Sequence, residues 1–396
     1  MTGSWIRTMA GAAALVLVGG AMACGGGDER SRDGATGTPV KVGGIFDLSG
    51  DTSDVGTPYA DGIKGFVRYY NEQGREPRID LTSEDYKYDV AVAERLYSRL
   101  KSEGVVAVQG WGTGDTEALR GKVTADRKPF MSASYAETLT KPAETPFNFV
   151  AATSYSDQMR IALKWIAEES PGTEVASFHH DSPFGESPQK AGAEAAKKLG
   201  VGLESYAMPA EATDYVPQLR RAQSQGAKYV VIQNVSTPSA QLAKNIAEQG
   251  LDMKVVCLNW CGDELFVELA GDAAESAVGV MPFAPASVDA EGLDAPREFL
   301  SKNGGSLDKE GLHYVQGWYT MALMAEGIKR AADEGDGKVD GESIKRALEQ
   351  MRAFDTGGVS APIDFSARSH AGMNRSKLYI VKNERWAPLT DLWTGP

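Results

Sequence analysis

Cysteine, histidine and positive charge are all scarce in this chain. Three Cys and four His in 396 residues exclude a disulfide scaffold and a Cys-rich zinc module, and leave little for metal or acid–base chemistry on His. Lys and Arg number 41 against 54 Asp and Glu, a formal charge of −13. That balance argues against nucleic acid, whose affinity rests on Lys and Arg at phosphates. The motifs G-x-S-x-G, H-E-x-x-H and C-x-x-C are absent, so no familiar nucleophile, zinc or redox site is offered. No apolar run beyond the first segment is long enough to span a bilayer. What is present, 42% hydrophobic and 24% charged residues, suits a folded chain rather than a disordered one.

Residues 1–23 read as a secretory signal peptide. Arg7 is the only charged side chain before Cys24, and an apolar stretch from Met9 to Val18 leads into small residues. Ala21-Met22-Ala23-Cys24-Gly25 resembles a bacterial lipobox, with Ala21 where Leu is usual. It predicts acylation of Cys24 and an extracytoplasmic, lipid-anchored protein; plain cleavage after Ala23 is the alternative. Residues 24–39 are polar, Gly-rich and without apolar period, hence a flexible tether. The other two cysteines, Cys257 and Cys261, are four apart. In an oxidising compartment they form either a small-loop disulfide or two free buried thiols.

From Val40 onward, apolar strand-like runs alternate with helical patterns. The runs include 42–46, 79–81, 105–108, 129–131, 174–178, 229–232, 254–258 and 278–281. Continuous apolar strands separated by helices predict an α/β fold of parallel βαβ units, with both sheet faces covered. The rhythm occurs twice, which predicts two α/β lobes in series, with β-like endings at 361–365, 377–381 and 386–389. Open α/β sheets bind ligands beyond the carboxyl ends of their strands, so the strand-end loops are the candidate site.

Gln109 to Thr116 reads QGWGTGDT and opens a helix. Its glycines allow close backbone approach, and free N–H groups at a helix start attract an anion. The spacing is neither a dinucleotide fingerprint nor a phosphate loop, and a simple capped turn is the alternative use. Ser132-Ala133-Ser134-Tyr135 follows the next strand with two hydroxyls and a ring. In the second half, His179 to Gly185, Asn234 to Pro238 and Asn259 to Asp263 end three strands. Adjacent His179 and His180 point to opposite faces of an extended segment and do not share a metal easily. Phe184 and Trp260 offer apolar walls. Asp85 and Asp181 also end strands; as a catalytic pair they have no support beyond position.

These pieces together resemble the type I periplasmic solute-binding proteins of ABC importers, of the Leu/Ile/Val-binding kind. The resemblance runs from Val40 to Trp393. It rests on Asp47-Leu48-Ser49-Gly50, Gly56, Asn71-Glu72-Gln73-Gly74, Gly110 with Ser132-Ala133-Ser134, Tyr215 to Leu219, and Leu269 to Glu275. Tyr314-Val315-Gln316-Gly317-Trp318 and Phe354 to Gly358 complete it. It implies two Rossmann-like lobes with central parallel sheets, joined by a three-segment hinge near Ala152, Pro285 and Gly358. Lobe 1 would be 40–152 plus 286–357, and lobe 2 would be 153–285 plus 358–396. It further implies a monomeric, cofactor-free, metal-free and non-catalytic protein. Its partners would be a small-molecule ligand, an ABC permease with its ATPases, and the membrane through the anchor. A sensory lipoprotein on the same fold is the alternative.

The candidate ligand-binding residues are Trp111, Gly112, Thr113, Gly114, Ser134, Tyr135, Ala136, Phe184, Ser236, Asn259 and Trp260. The Thr113-Gly114 loop and Ser134 to Ala136 correspond to the family's carboxylate grip. The ammonium end departs. Asn259 stands where amino-acid binders place a carboxylate, Phe184 and Ser236 replace tyrosines, and Val55 replaces another. A buried ammonium without a counter-ion is costly. The expected ligand is therefore a small carboxylate, either an amino acid or an aromatic or acyl acid. Asp181, Asp263 and Glu264 remain as alternative sources of negative charge.

Overall fold

The computed structural model describes residues 37–396 apart from 211, 213 and 335–338; the signal, Cys24 and most of the tether lie outside the described residues. The chain begins with β1 (Val40–Phe46), α1 (Ser53–Glu72), β2 (Ile79–Asp85) and α2 (Val90–Ser102). It continues with β3 (Ala107–Gly110), α3 (Thr113–Ala125), β4 (Phe130–Ser132) and β5 (Asn148–Phe149). These five strands form one wholly parallel sheet in the order β2-β1-β3-β4-β5. β1 and β3 are buried along almost their whole length, which is why they read as unbroken apolar runs.

The second set is α4 (Tyr155–Glu169), β6 (Glu174–His180), α5 (Pro183–Glu186), α6 (Gln189–Leu199), β7 (Gly202–Met208) and α7 (Val216–Ser224). Next come β8 (Ala227–Gln233), α8 (Ser236–Glu248), β9 (Lys254–Cys257), α9 (Glu264–Ala270) and β10 (Val278–Met281). The chain then supplies α10 (Asp294–Lys302), α11 (Leu307–Glu334) and α12 (Gly341–Glu349), before β11 (Lys377–Lys382) and β12 (Arg385–Pro388). The second sheet has seven strands, β12-β11-β10-β9-β8-β6-β7. β11 pairs antiparallel with both β10 and β12, and the remaining pairs are parallel.

The chain passes between the sheets three times. It leaves the first after β5 and leaves the second after β10. It returns after α11, which packs along α1 on the first sheet, and α12, which packs on α11, to add β11 and β12 to the second. The passing segments lie side by side: Val150 bridges Ala371 and Phe283 bridges Ser360. Two glycines let α11 lie directly on α1. A Cβ on Gly62 would stand 2.0 Å from the Tyr314 carbonyl, and one on Gly317 would stand 2.0 Å from the Tyr59 carbonyl.

Two expectations on elements need correction. Residues 361–365 form no strand; Ile363 makes an isolated bridge to Phe354, and Pro362 beside it has no N–H for a ladder. β7 and α7 were not legible as elements. β7 is an edge strand with Leu203, Glu204, Ser205 and Ala207 wholly or partly exposed, so it lacks the apolar run that marks its neighbours.

Candidate functional site

The strand ends of both sheets meet at a ring of aromatic side chains. On the first sheet's side, β3 ends at Gly110 and delivers Trp111, whose ring lies 5.3 Å from Tyr59 of α1. On the second sheet's side, β9 ends before Trp260, which stands in a short turn over Asn259–Cys261. The two indoles meet edge to face, 4.8 Å between centroids. Trp260 also stacks on Tyr135 at 5.4 Å and touches Tyr59 at 6.0 Å, and it packs against His313 of α11 at 4.9 Å. Offset and edge-on geometries of this kind are the favourable ones for aromatic pairs.

Each indole N–H is committed. Trp111 Nε1 donates to Thr52 Oγ1 at 2.8 Å, and Thr52 Oγ1 donates to Asp47 Oδ2 at 2.8 Å. Trp260 Nε1 donates to Tyr155 Oη at 2.8 Å, and Tyr155 Oη donates to the Ala133 carbonyl at 3.2 Å. The rings are thus fixed by bonds as well as by packing.

Between these rings lies a small, partly open cavity of ≈ 20 Å³. That is space for about one or two waters. The first side contributes Thr52, Tyr88, Trp111, Gly112, Thr113 and Ala133; Tyr155, Phe184, Val235 and Trp260 close the other. No lining side chain carries a charge.

One wall is the start of α3. Gly112 is its N-cap and offers no side-chain cap, so the helix presents N–H groups and the positive end of its dipole there. Beside it, Thr113 Oγ1 and Ser134 Oγ are 2.7 Å apart. Behind Gly112 stands Asp115, fully buried, whose Oδ1 accepts from Tyr86 Oη at 3.0 Å. Burial pushes the Asp115 carboxyl up to about 7, against the lowering effect of that bond. A Cβ on Gly112 would stand 2.4 Å from both Asp115 Oδ1 and Tyr86 Oη, so only glycine fits at this point of the wall.

A polar relay runs below Trp260. Asn259 N donates to Gln158 Oε1 at 3.0 Å, and Gln316 Nε2 donates to Asn259 Oδ1 at 2.5 Å. Gln316 Oε1 meets His313 Nδ1 at 2.7 Å, and His313 Nε2 lies 3.1 Å from Asp263 Oδ2. Burial alone would lower the His313 pKa; the Asp263 carboxylate outweighs it and holds the imidazole above its ordinary value. Glu264 accepts from Leu312 N and Ala286 N, each at 2.8 Å.

The expected site residues therefore fall into groups. Trp111, Gly112, Thr113, Phe184 and Trp260 line the cavity together. Ser134 joins through Thr113, and Tyr135 lies behind Trp260. Ala136 is buried at the start of the following helical turn. Gly114 faces Val90 and Pro183 instead. Ser236 Oγ donates to the Trp260 carbonyl at 3.3 Å, and Asn259 is absorbed in the relay. Of the two arrangements open to Cys257 and Cys261, the structure has the free buried thiols and no bond. Burial first, then Cys261, raises the Cys257 thiol well above its ordinary pKa. Thr52, Tyr88, Ala133, Tyr155 and Val235 were not singled out as ligand contacts; the Ser154-x-x-Asp157 cap that starts α4 marked the place of Tyr155.

Residues 39–385 match the family model described as "Periplasmic binding protein", and the chain belongs to that family. Among curated proteins, a leucine-, isoleucine-, valine-, threonine- and alanine-binding protein of Pseudomonas aeruginosa is 22% identical over 275 residues, 69% of this chain and 70% of that protein. A branched-chain amino acid ABC transporter structure from Thermus thermophilus with bound valine superposes with a TM-score of 0.85 at 27% identity. It covers 91% of this chain and 97% of the other. An ABC transporter substrate-binding protein from Aeropyrum pernix gives 0.84 at 29% identity, with 91% and 97% covered. The fold is the type I periplasmic-binding-protein fold. The protein is an extracytoplasmic solute-binding protein and not an enzyme. No helix among the described residues is long and apolar enough to cross a membrane.

Proposed function

We propose that this chain captures a small carboxylate-bearing solute between two lobes, 40–152 plus 286–357 and 153–285 plus 358–396, and delivers it to an ABC permease driven by its ATPases. One observation carries the reading. A cavity formed by the strand ends of both sheets has an uncapped helix start and two hydroxyls on one wall and uncharged side chains elsewhere. The helix start and the Thr113 and Ser134 hydroxyls suit a carboxylate. The aromatic remainder suits an uncharged body, the aromatic or acyl side of the expected range. The space between Trp111 and Trp260 is too small for such a solute while the rings touch. Capture therefore begins with the lobes apart and ends with closure stabilised by the ligand. No bond is made or broken.

The test is a panel of L-valine, L-leucine, phenylacetate and 4-methylpentanoate, each beside its amide, read by thermal shift and calorimetry. At least one acid should stabilise the protein and its amide should not. Ser134→Ala should weaken that acid about tenfold, the worth of one charge-assisted hydrogen bond, with ligand-free stability little changed. Equal response to acid and amide would overturn the carboxylate reading.

We also propose that Cys24 carries a lipid and holds the monomer to the outer face of the membrane. Cys24→Ser should move the protein from the membrane fraction to the soluble extracytoplasmic fraction. Retention on the membrane would reject the anchor.

A further inference from the structure

Asp54 sits in the first turn of α1, on the first sheet's side. Its Oδ2 accepts a hydrogen bond from Thr237 N at 2.9 Å, at the start of α8 on the second sheet's side. α8 has no cap of its own: its N-cap residue is Val235, and no side chain serves. A carboxylate at an uncapped helix start satisfies a free N–H and meets the positive end of the dipole. Here the cap comes from the other side of the cleft.

The position of this contact ties it to the cavity. Thr52, two residues before Asp54, and Val235, two before Thr237, both line the cavity. Thr52 holds the Trp111 indole, and Ser236 holds the Trp260 carbonyl. The two tryptophans and the two ends of the Asp54–Thr237 bond thus move as pairs. Glu264 differs, because it bonds Ala286 N and Leu312 N beside a passing segment, where the chain stays connected as the sheets part. Neither α1 nor α8 contains a passing segment, so their bond exists only with the cleft closed.

We infer that Asp54 is a closure latch: by capping α8 from across the cleft, it sets how long a captured solute is held, without touching that solute. The inference rests on the capture reading above.

The test uses Asp54→Ala and Asp54→Asn with L-valine and phenylacetate as probes. Release from Asp54→Ala should be about fivefold to tenfold faster, the fold-change of losing one helix cap, with the capture rate unchanged. Asp54→Asn keeps a carbonyl acceptor and should recover part of the loss. The unfolding midpoint of ligand-free Asp54→Ala should match the wild type, because the open form lacks the bond. With a probe bound, hydrogen exchange at the Thr237 amide should be faster in Asp54→Ala. Thr237 exchange unchanged with and without the probes would overturn the latch. So would a drop in ligand-free stability as large as the loss of affinity, the mark of a merely structural cap. If neither probe affects the wild type, the capture reading loses its ligand class; the latch still fails if Thr237 of the ligand-free wild type exchanges more slowly than in Asp54→Ala, because the bond would then exist with the cleft open.

Discussion

Gly317→Ala is expected to destabilise the protein by about 3 kcal/mol, the range for forcing an atom into a filled interface. The ordinary effect of such a change has the opposite sign, since alanine in a helix interior is about 1 kcal/mol better than glycine. At Gly317 the added Cβ would lie 2.0 Å from the Tyr59 carbonyl oxygen and 3.1 Å from Ile63 N. Both neighbours are backbone of α1, so relief comes only by moving one helix off the other. Phe66 and Trp318 pack edge to face across the same interface at 5.4 Å, and separation would loosen them too. Gly121 supplies the control. It is exposed in α3, and a Cβ there meets nothing within 4 Å. Gly121→Ala should therefore stabilise by about 0.5–1 kcal/mol. Chemical denaturation of both variants checks the pair. A neutral or stabilising Gly317→Ala would mean that α1 and α11 can part without loss.

The same helix pair shows what the sequence could and could not reveal. Tyr314-Val315-Gln316-Gly317-Trp318 carried part of the family resemblance. That Gly317 faces the Tyr59 carbonyl was not legible, because the contact joins segments some 260 positions apart in the numbering. The inner strands β1, β3, β6, β8, β9 and β10 were legible because burial on two faces leaves continuous apolar runs. The edge strand β7 was hidden for the converse reason. At the site, Trp111, Gly112 and Thr113 could be read from a glycine-rich strand end at a helix start. Thr52 and Val235 could not, since their place depends on how the two sheets face one another. Asn259 was read as a ligand contact from its position at a strand end. Its side chain instead bonds Gln316 of α11, a partner that no local pattern announces.

Trp260→Ala should weaken solute capture more than any other single change at the site. The reason lies in where its contacts go. Trp111, Tyr59 and Tyr135 all belong to the first sheet's side, and all three touch the Trp260 ring. Under the proposed capture by closure these contacts form as the cleft shuts, so their loss falls on the closed state and therefore on affinity. Three aromatic pairs at about 0.5–1.5 kcal/mol each give about 1.5–4.5 kcal/mol, or roughly 10-fold to 2,000-fold in Kd. The ring also donates to Tyr155 Oη on its own side of the cleft, which adds a smaller cost to the ligand-free fold. Trp260→Phe separates the contributions. It keeps a ring for the aromatic contacts and loses the N–H, so it should cost about tenfold or less, the range of one hydrogen bond. Calorimetry with whichever panel acid binds the wild type measures both, and denaturation without that acid measures the share borne by the fold. Wild-type affinity in Trp260→Ala would show that closure does not depend on this ring. A loss of ligand-free stability matching the whole loss of affinity would show that Trp260 acts in both states alike. The expected split, large in affinity and small in ligand-free stability, follows from one indole on the second sheet's side having most of its ring partners on the first sheet's side.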